Sequence, residues 1–229
     1  MLRTPLVLAA IAATLARTAI GEPLAQAAAH RHQTACQRLK GADRAPAASV
    51  RLVKRRNGDG GTDLLGCVLP AGRVRTIASS EHADTANYDY AIDRVAGRIV
   101  MLTLSGGNQY AYDMRTVVRD LRGGHSYEIA HMCSPTGGGD CATGGSTVAS
   151  AAFITNAGRT VAAIVPAPDA QPTATGPVTI AGFDPRGTRR DLDTGSGADL
   201  PPSSLALAGN VASWTNAGTP RMADLSAAR

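Results

Sequence analysis

Residues 112–124, YDMRTVVRDLRGG, return without a gap at 183–195 as FDPRGTRRDLDTG. Both copies fit Tyr/Phe-Asp-x-Arg-x-x-x-Arg-Asp-Leu-x-x-Gly, a match at seven positions. The stretches ahead of them align too: AIDRVAGRIV at 91–100 and AFITNAGRTV at 152–161 share Ala, then Ala-Gly-Arg, then Val at the same spacing. The two offsets are 71 and 61 residues, and the difference falls in the Pro-rich segment 166–177. A period of this size marks one supersecondary unit that buries its apolar face against its neighbours, and insertions between strands are tolerated. The repeat therefore constrains architecture before it says anything about chemistry.

Between the repeats the chain reads as short strands separated by turn signals. Strands are expected at 50–53, 64–69 and 73–78, around Asn57-Gly58-Asp59-Gly60-Gly61 and Pro70-Ala71-Gly72. A second group is expected at 90–95, 98–104, 109–113 and 117–121, and a third at 152–155, 160–165, 178–183 and 188–192. Ala96-Gly97 and Ala157-Gly158 punctuate the front halves of these groups. A rival register matches Thr155-Asn156-Ala157-Gly158 with the identical Thr215-Asn216-Ala217-Gly218. The C-terminus holds only a front half, 205–214 followed by a turn and 221–225. The N-terminus holds what reads as a back half, Pro70-x-Gly72-x-x-Arg75-x-Ile77 beside Pro185-x-Gly187-x-x-Arg190-x-Leu192. The expectation is an all-β, propeller-like repeat of about three four-stranded units: 88–124, 147–195, and one split between the N- and C-termini as 48–79 plus 204–225.

This pattern resembles the blades of bacterial β-propellers of the TolB-like or WD40-like kind. Trp214-Thr215-Asn216-Ala217-Gly218 is the closest local match, and no Trp-Asp dipeptide is present. The resemblance spans roughly residues 48–225 and implies that the split unit closes a ring. Propellers have about four to eight blades. Three units imply an atypical toroid, an open stack, or closure with another chain.

The first residues read as an export signal. Arg3 precedes an uncharged apolar run of twelve, residues 5–16, too short for the about 20 residues of a membrane span. Small-x-small cleavage patterns follow at Ala25-Gln26-Ala27 and Ala27-Ala28-Ala29. A signal peptide at 1–29 and one all-β domain at 30–229 are expected, secreted or held in the cell envelope, with no membrane span after cleavage. The four cysteines of an exported chain are expected to form two disulfides, Cys36–Cys67 and Cys133–Cys141, the latter closing the glycine-rich segment SPTGGGD. Zinc is the competing reading; it lacks C-x-x-C spacing.

The chemistry-bearing motifs are few. No G-x-S-x-G elbow, H-E-x-x-H, P-loop or Rossmann fingerprint occurs. Residues 57–63 suggest a calcium loop but place Thr62 where a Gly belongs and Val68 where a bidentate Glu belongs, so a hairpin turn is the better reading. His125, His131, Met132 and Cys133 suggest a soft-metal site, which an oxidised Cys133 would undercut. The basic run Arg51 to Arg56 reads as a strand edge whose charges block sheet-to-sheet pairing, or as a contact for an anionic envelope polymer. Two Phe, one Trp and five Tyr in 229 residues give little for base stacking, and an exported chain is not expected to meet nucleic acid. No catalytic residue, metal ligand or cofactor is assigned. The expected function is an exported non-enzymatic binding or scaffolding module acting through loops at 79–89, 125–146 and 166–177, with another protein or an anionic envelope polymer as partner. The alternative is a secreted hydrolase or lyase on the loop-bearing face, which several carboxylates and a His converging in one cleft would favour.

Overall fold

A computed structural model describes residues 34–40, 42–43, 49–58, 60–82, 87–108, 112–133, 146–166 and 176–227, all within the compact unit Thr34–Arg229. The expected signal peptide, 1–29, lies outside the described residues. Fifteen strands follow one another: β1 (Ala42–Asp43), β2 (Val50–Arg56), β3 (Thr62–Val68), β4 (Arg75–His82), β5 (Asn87–Ala96), β6 (Ile99–Gly107), β7 (Tyr112–Asp120), β8 (Ser126–Cys133), β9 (Thr147–Ile154), β10 (Thr160–Pro166), β11 (Pro177–Phe183), β12 (Arg189–Ser196), β13 (Ala206–Ala208), β14 (Val211–Asn216) and β15 (Thr219–Asp224). Among the described residues the only helices are short 3-10 turns. Every pairing is antiparallel between consecutive strands. Three sheets result, β1–β8, β9–β12 and β13–β15.

Three apolar clusters turn these sheets into four successive layers. Val50, Leu52, Leu64 and Ile77 of β2–β4 meet Val100, Leu102 and Val117 of β6–β7. The opposite face of β6–β8, with Ile99, Met101, Val118 and Ile129, meets Ile154, Ala162, Ile164 and Phe183 of β9–β11. The far face of β10–β11, with Val161, Ala163, Val165, Val178 and Ile180, meets Leu205, Ala212, Trp214 and Leu225. Strands buried on one face alternate polar and apolar, whereas those buried on both faces cannot. This is why β6 opens with four consecutive buried residues and β10 has six. Each fully buried Leu, Ile or Val contributes about 1.5–3 kcal/mol through removal from water.

The first layer is tied to its surroundings in two ways. At its inner end β4 runs on into β5, pairing Glu81 with Tyr88 and His82 with Asn87. On its outer side the Cys36–Cys67 disulfide, spanning 31 residues, pins residues 34–40 beside it, and Arg51 Nη1 donates to Gln37 O at 2.8 Å. The expected Cys36–Cys67 pairing is thus in place.

The split unit is a correction. Among the described residues the strands of 205–225 form ladders only with one another, as β13–β15, while those of 50–82 belong to the sheet that continues through β8. The physical reason lies in what each end buries. Trp214, Leu205 and Leu225 cover the third layer, and the N-terminal layer finds its partner in β6–β7. No described apolar cluster joins the first layer to the fourth.

The thirteen-residue repeat is also corrected. Of the expected strands 109–113 and 117–121, the described residues form one, β7, with 109–111 outside the described residues, and the fourth strand of that unit is β8. The unit is therefore 87–133, not 88–124. In the first copy the matched residues up to Asp120 run along β7. In the second, Phe183 ends β11, Asp184 opens a turn, and Arg190, Asp191 and Leu192 lie in β12. The structural equivalence pairs Asp120 with Asp184. Asp120 Oδ1 accepts Arg122 N–H and Asp184 Oδ1 accepts Arg186 N–H, both at 2.8 Å, the side-chain-to-backbone bond of an Asx turn. In this register the offset is 64, close to the 61 of the Ala-Gly turns. Ala96-Gly97, Ala157-Gly158 and Ala217-Gly218 all close hairpins with glycine at positive φ, a conformation that side chains disfavour.

Candidate functional site

The antiparallel succession gives the stack two unlike ends. At one end the turns are tight and mutually bonded. Ser49 Oγ donates to Gly97 O at 3.0 Å, Tyr127 Oη donates to Gly158 O at 2.9 Å, and the His125 ring lies 3.2 Å from Arg186 O. Arg98 Nε pairs with the Asp120 carboxylate at 3.0 Å. Burial pushes the Tyr127 phenol up to about 12, against the lowering effect of its bond to Thr160. At the other end fall the strand termini that flank 83–86, 109–111, 134–145 and 167–175, stretches that, 109–111 aside, fall within the expected binding loops 79–89, 125–146 and 166–177. The segments themselves lie outside the described residues.

A cleft of about 580 Å³ opens at that second end, between β3–β4 and β5–β7. Its polar lining comes from Asn57, Asp63, Ser79, Ser80, Glu81, Asp89, Ser105, Asp113, Arg115 and Arg119, and its apolar lining from Ala78, Leu104 and the Tyr88 ring. Tyr88 is 49% exposed. Its ring lies across Gly106, its partner in the β5–β6 ladder, where a Cβ would stand 2.2 Å from a ring carbon. Only glycine lets the ring settle there. Other groups in the wall are fixed by their neighbours. Ser79 Oγ donates to Asp63 Oδ1 at 2.9 Å, Asn57 Nδ2 donates to Ser80 O at 3.1 Å, and the hydroxyls of Ser80 and Thr62 are 2.8 Å apart.

On β7 and β8 the lining extends into a charged network. Asp113 is held by Arg115 Nε at 3.0 Å and by His131 Nε2. The other ring nitrogen of His131 faces Glu128 at 3.9 Å, and Arg115 reaches Glu128 at 4.0 Å. Both imidazole nitrogens therefore look onto carboxylates. Arg119 differs from these arginines: its Nε is shut off from water and has no hydrogen-bond acceptor, and burial pulls its guanidinium below the usual arginine range.

The residues singled out from sequence fall in several places. Cys36 and Cys67 are bonded. Cys133 is disulfide-bonded, and Cys141 lies outside the described residues. His125 and His131 stand at opposite ends of β8, so the expected cluster with Met132 and Cys133 is not one site. Among the described residues no three of His, Cys, Asp and Glu converge as a metal site. The basic run is engaged internally: Lys54 Nζ lies 5.0 Å from the centre of the Tyr90 ring, and Arg55 is 3.7 Å from Asp63. Asp59 lies outside the described residues, while Asn57 and Asp63, expected as turn residues, line the cleft.

Asp113, Arg115, Arg119 and Glu128 were not assigned a site role from sequence, and His131 was considered only with the soft-metal cluster; residues 112–124 read as repeat scaffold, so the charges of β7 pointed to architecture and not to a cleft. Asp93, whose carboxyl burial pushes up despite the bond from Thr103, does not line the cleft. No helix among the described residues is long and apolar enough to cross a membrane. No family model, curated protein or solved structure matches the chain.

Proposed function

We propose that the chain is an exported binding module of blade-like layers in an open stack, with its ligand site in the cleft at the loop-bearing end. The observation that carries this reading is the cleft itself. It has a polar wall with several groups held by strand-to-strand hydrogen bonds and an exposed Tyr88 ring. Concave sites with a few fixed polar groups and an aromatic platform suit recognition of a small polar ligand or one segment of a polymer. Export is supported by the Cys36–Cys67 disulfide, which an oxidising compartment preserves, and by the apolar run followed by Ala-x-Ala.

The test is a backbone NMR titration with a panel of envelope-type oligosaccharides and peptides. Shifts should concentrate on Ser79–Glu81, Tyr88 and Arg115. Binding confined to the tight-turn end would overturn the assignment.

A second reading, hydrolase or lyase, draws on the Asp113–His131 pair beside Asp63, Glu81 and Asp89. Against it, Ser79 donates to Asp63 and not to a histidine, and His131 turns both nitrogens to carboxylates. General-base work needs a nitrogen within reach of the substrate proton. Turnover of any bound oligosaccharide that is lost in His131→Gln would establish the second reading over the first.

A further inference from the structure

We propose that the tight-turn end of the stack docks on an anionic phospholipid surface and turns the cleft away from it; this goes beyond the cleft reading and stands without it. Five turns meet at that end, 70–75, 96–98, 120–125, 155–159 and 183–188. They carry six arginines, Arg73, Arg75, Arg98, Arg122, Arg159 and Arg186, against two aspartates, Asp120 and Asp184. Asp120 pairs with Arg98, and Asp184 accepts the N–H groups of Arg186 and Thr188. Asp224, on the rim of the fourth layer, accepts both the N–H and the hydroxyl of Ser226. Arg75 and Arg159 donate to the carbonyls of Leu121 and Leu225, bonds that fix the side chains and leave their charge in place. Arg73, Arg122 and Arg186 are exposed and make no ion pair among the described residues.

Position decides which end a charged plane attracts. β6 has nine residues, so the two ends stand about 30 Å apart at about 3.3 Å per residue. That is well beyond the screening length of about 8 Å at physiological salt. The cleft end has the opposite balance, Asp63, Glu81, Asp89 and Asp113 against Arg115 and Arg119. An anionic surface therefore holds the turn end and repels an approach by the cleft end.

Three features favour lipid as the partner. The recess at that end, beside His125, Tyr127 and Pro185, measures about 20 Å³, too small for a ligand, so the face meets a surface. The turn tips between the arginines, Ala71, Ala157, Pro185 and Val211, are exposed and uncharged, which suits contact with the headgroup layer. The chain also enters the described domain here, where Thr34 Oγ1 donates to Pro70 O, so the apolar run 5–16 precedes the domain on this side. Arginine's planar fork matches a phosphate in two-point contact.

The experiment is co-sedimentation of the chain recovered after export with vesicles of phosphatidylcholine, alone or containing phosphatidylglycerol. Binding should require phosphatidylglycerol and weaken with added salt. Arg122→Gln combined with Arg186→Gln should lower affinity about 25-fold, at about fivefold per arginine. Arg55→Gln combined with Arg56→Gln removes the same charge at the cleft end and should change affinity less than about twofold. Equal losses in the two double variants would show attraction to net charge alone and overturn the docking end. Equal binding to both kinds of vesicle overturns the proposal outright. Binding to soluble polygalacturonate but not to vesicles, lost in the turn variant, makes the face an acidic-polymer contact and overturns the lipid assignment. Should the turn variant fail to fold, Arg73→Gln alone, expected to lose about fivefold, decides the matter with the salt dependence. None of these outcomes bears on ligand binding in the cleft, which the titration above reads separately.

Discussion

Replacing Trp214 by alanine removes the largest side chain at the junction of the third and fourth layers. Trp214 is 5% exposed and packs within the cluster that includes Val161, Ile180 and Leu225. Large-to-small changes of a buried aromatic cost about 3–5 kcal/mol. At about 2–4 °C per kcal/mol for a domain of this size, the midpoint should fall by about 6–20 °C. A second term is separable. Trp214 Nε1 donates to Asp193 Oδ2 at 2.7 Å, and Asn216 Nδ2 donates to Asp193 Oδ1 at 2.9 Å. Burial alone would raise the Asp193 carboxyl, but these bonds and the one from Thr194 N–H hold it below the usual carboxylate range. A depressed carboxyl stabilises the fold fully above its unfolded pKa of about 3.9, and that contribution is lost as pH falls through the lower folded value. Trp214→Phe keeps much of the packing and loses the bond, so its deficit, about 1–2 kcal/mol at neutral pH, should shrink at pH values below the depressed pKa. The assay is urea denaturation followed by circular dichroism across pH, since the variants lack the chain's single tryptophan. A Trp214→Ala midpoint within about 2 °C of wild type, or a Trp214→Phe deficit that does not change with pH, would refute the reasoning.

Other expectations follow from the same geometry. Reducing Cys36–Cys67, or replacing both residues by serine, opens a 31-residue span and should cost about 3–4 kcal/mol in the chain-entropy picture, measured by denaturation of the double variant. Gly187→Ala should destabilise strongly, by about 2–4 kcal/mol, because φ is +87° and a Cβ would meet Tyr127 Cβ at 2.4 Å. Gly209→Ala, at φ +59° with nothing within 4 Å, should cost only about 1 kcal/mol; melts of the two variants compared side by side check the difference. Tyr127→Phe strips a donor from Gly158 O and a partner from Thr160 and should cost about 1–2 kcal/mol. In a spectrophotometric titration of the wild type, Tyr127 should ionise near the about 12 to which burial pushes it.

The all-β class, the Ala-Gly hairpins and most of the short strands could be read from the residues, because turn glycines and local alternation are local properties. The third unit was legible strand by strand. The second was not, and the cause is specific. Seven matching positions, six of them identical, favoured pairing Asp113 with Asp184, whereas the shared physical feature is the Asx turn that Asp120 and Asp184 each begin. β8 was not expected because 125–133 reads as a polar cluster without alternation: the consecutive residues Ile129 and Ala130 both enter the core, at a register shift opposite Thr116/Val117. The cleft could not be read at all. Its lining comes from five strands and one turn that span more than 60 residues of the chain, and only the folding of β2–β4 over β5–β7 brings Asp63 and Arg119 to one cleft. Layer order was equally hidden, since complementary half-repeats at the two termini are as compatible with two separate end layers as with one shared blade.

Because each layer holds only its immediate neighbours, the molecule should respond to force directionally. The fourth layer has three strands, shares no strand ladder with another sheet among the described residues, and adheres through one apolar face and a few side-chain hydrogen bonds, from Trp214 and Asn216 to Asp193 and from Arg159 to Leu225 O. The first is clamped by a covalent cross-link and runs into the second through an unbroken strand ladder. Tension applied at the C-terminus should therefore peel the stack in sequence, fourth layer first and third next, each as a discrete extension step. The disulfide-locked N-terminal sheets should hold longest. Such a chain, anchored by its N-terminal side, would yield gradually under load while keeping its cleft intact.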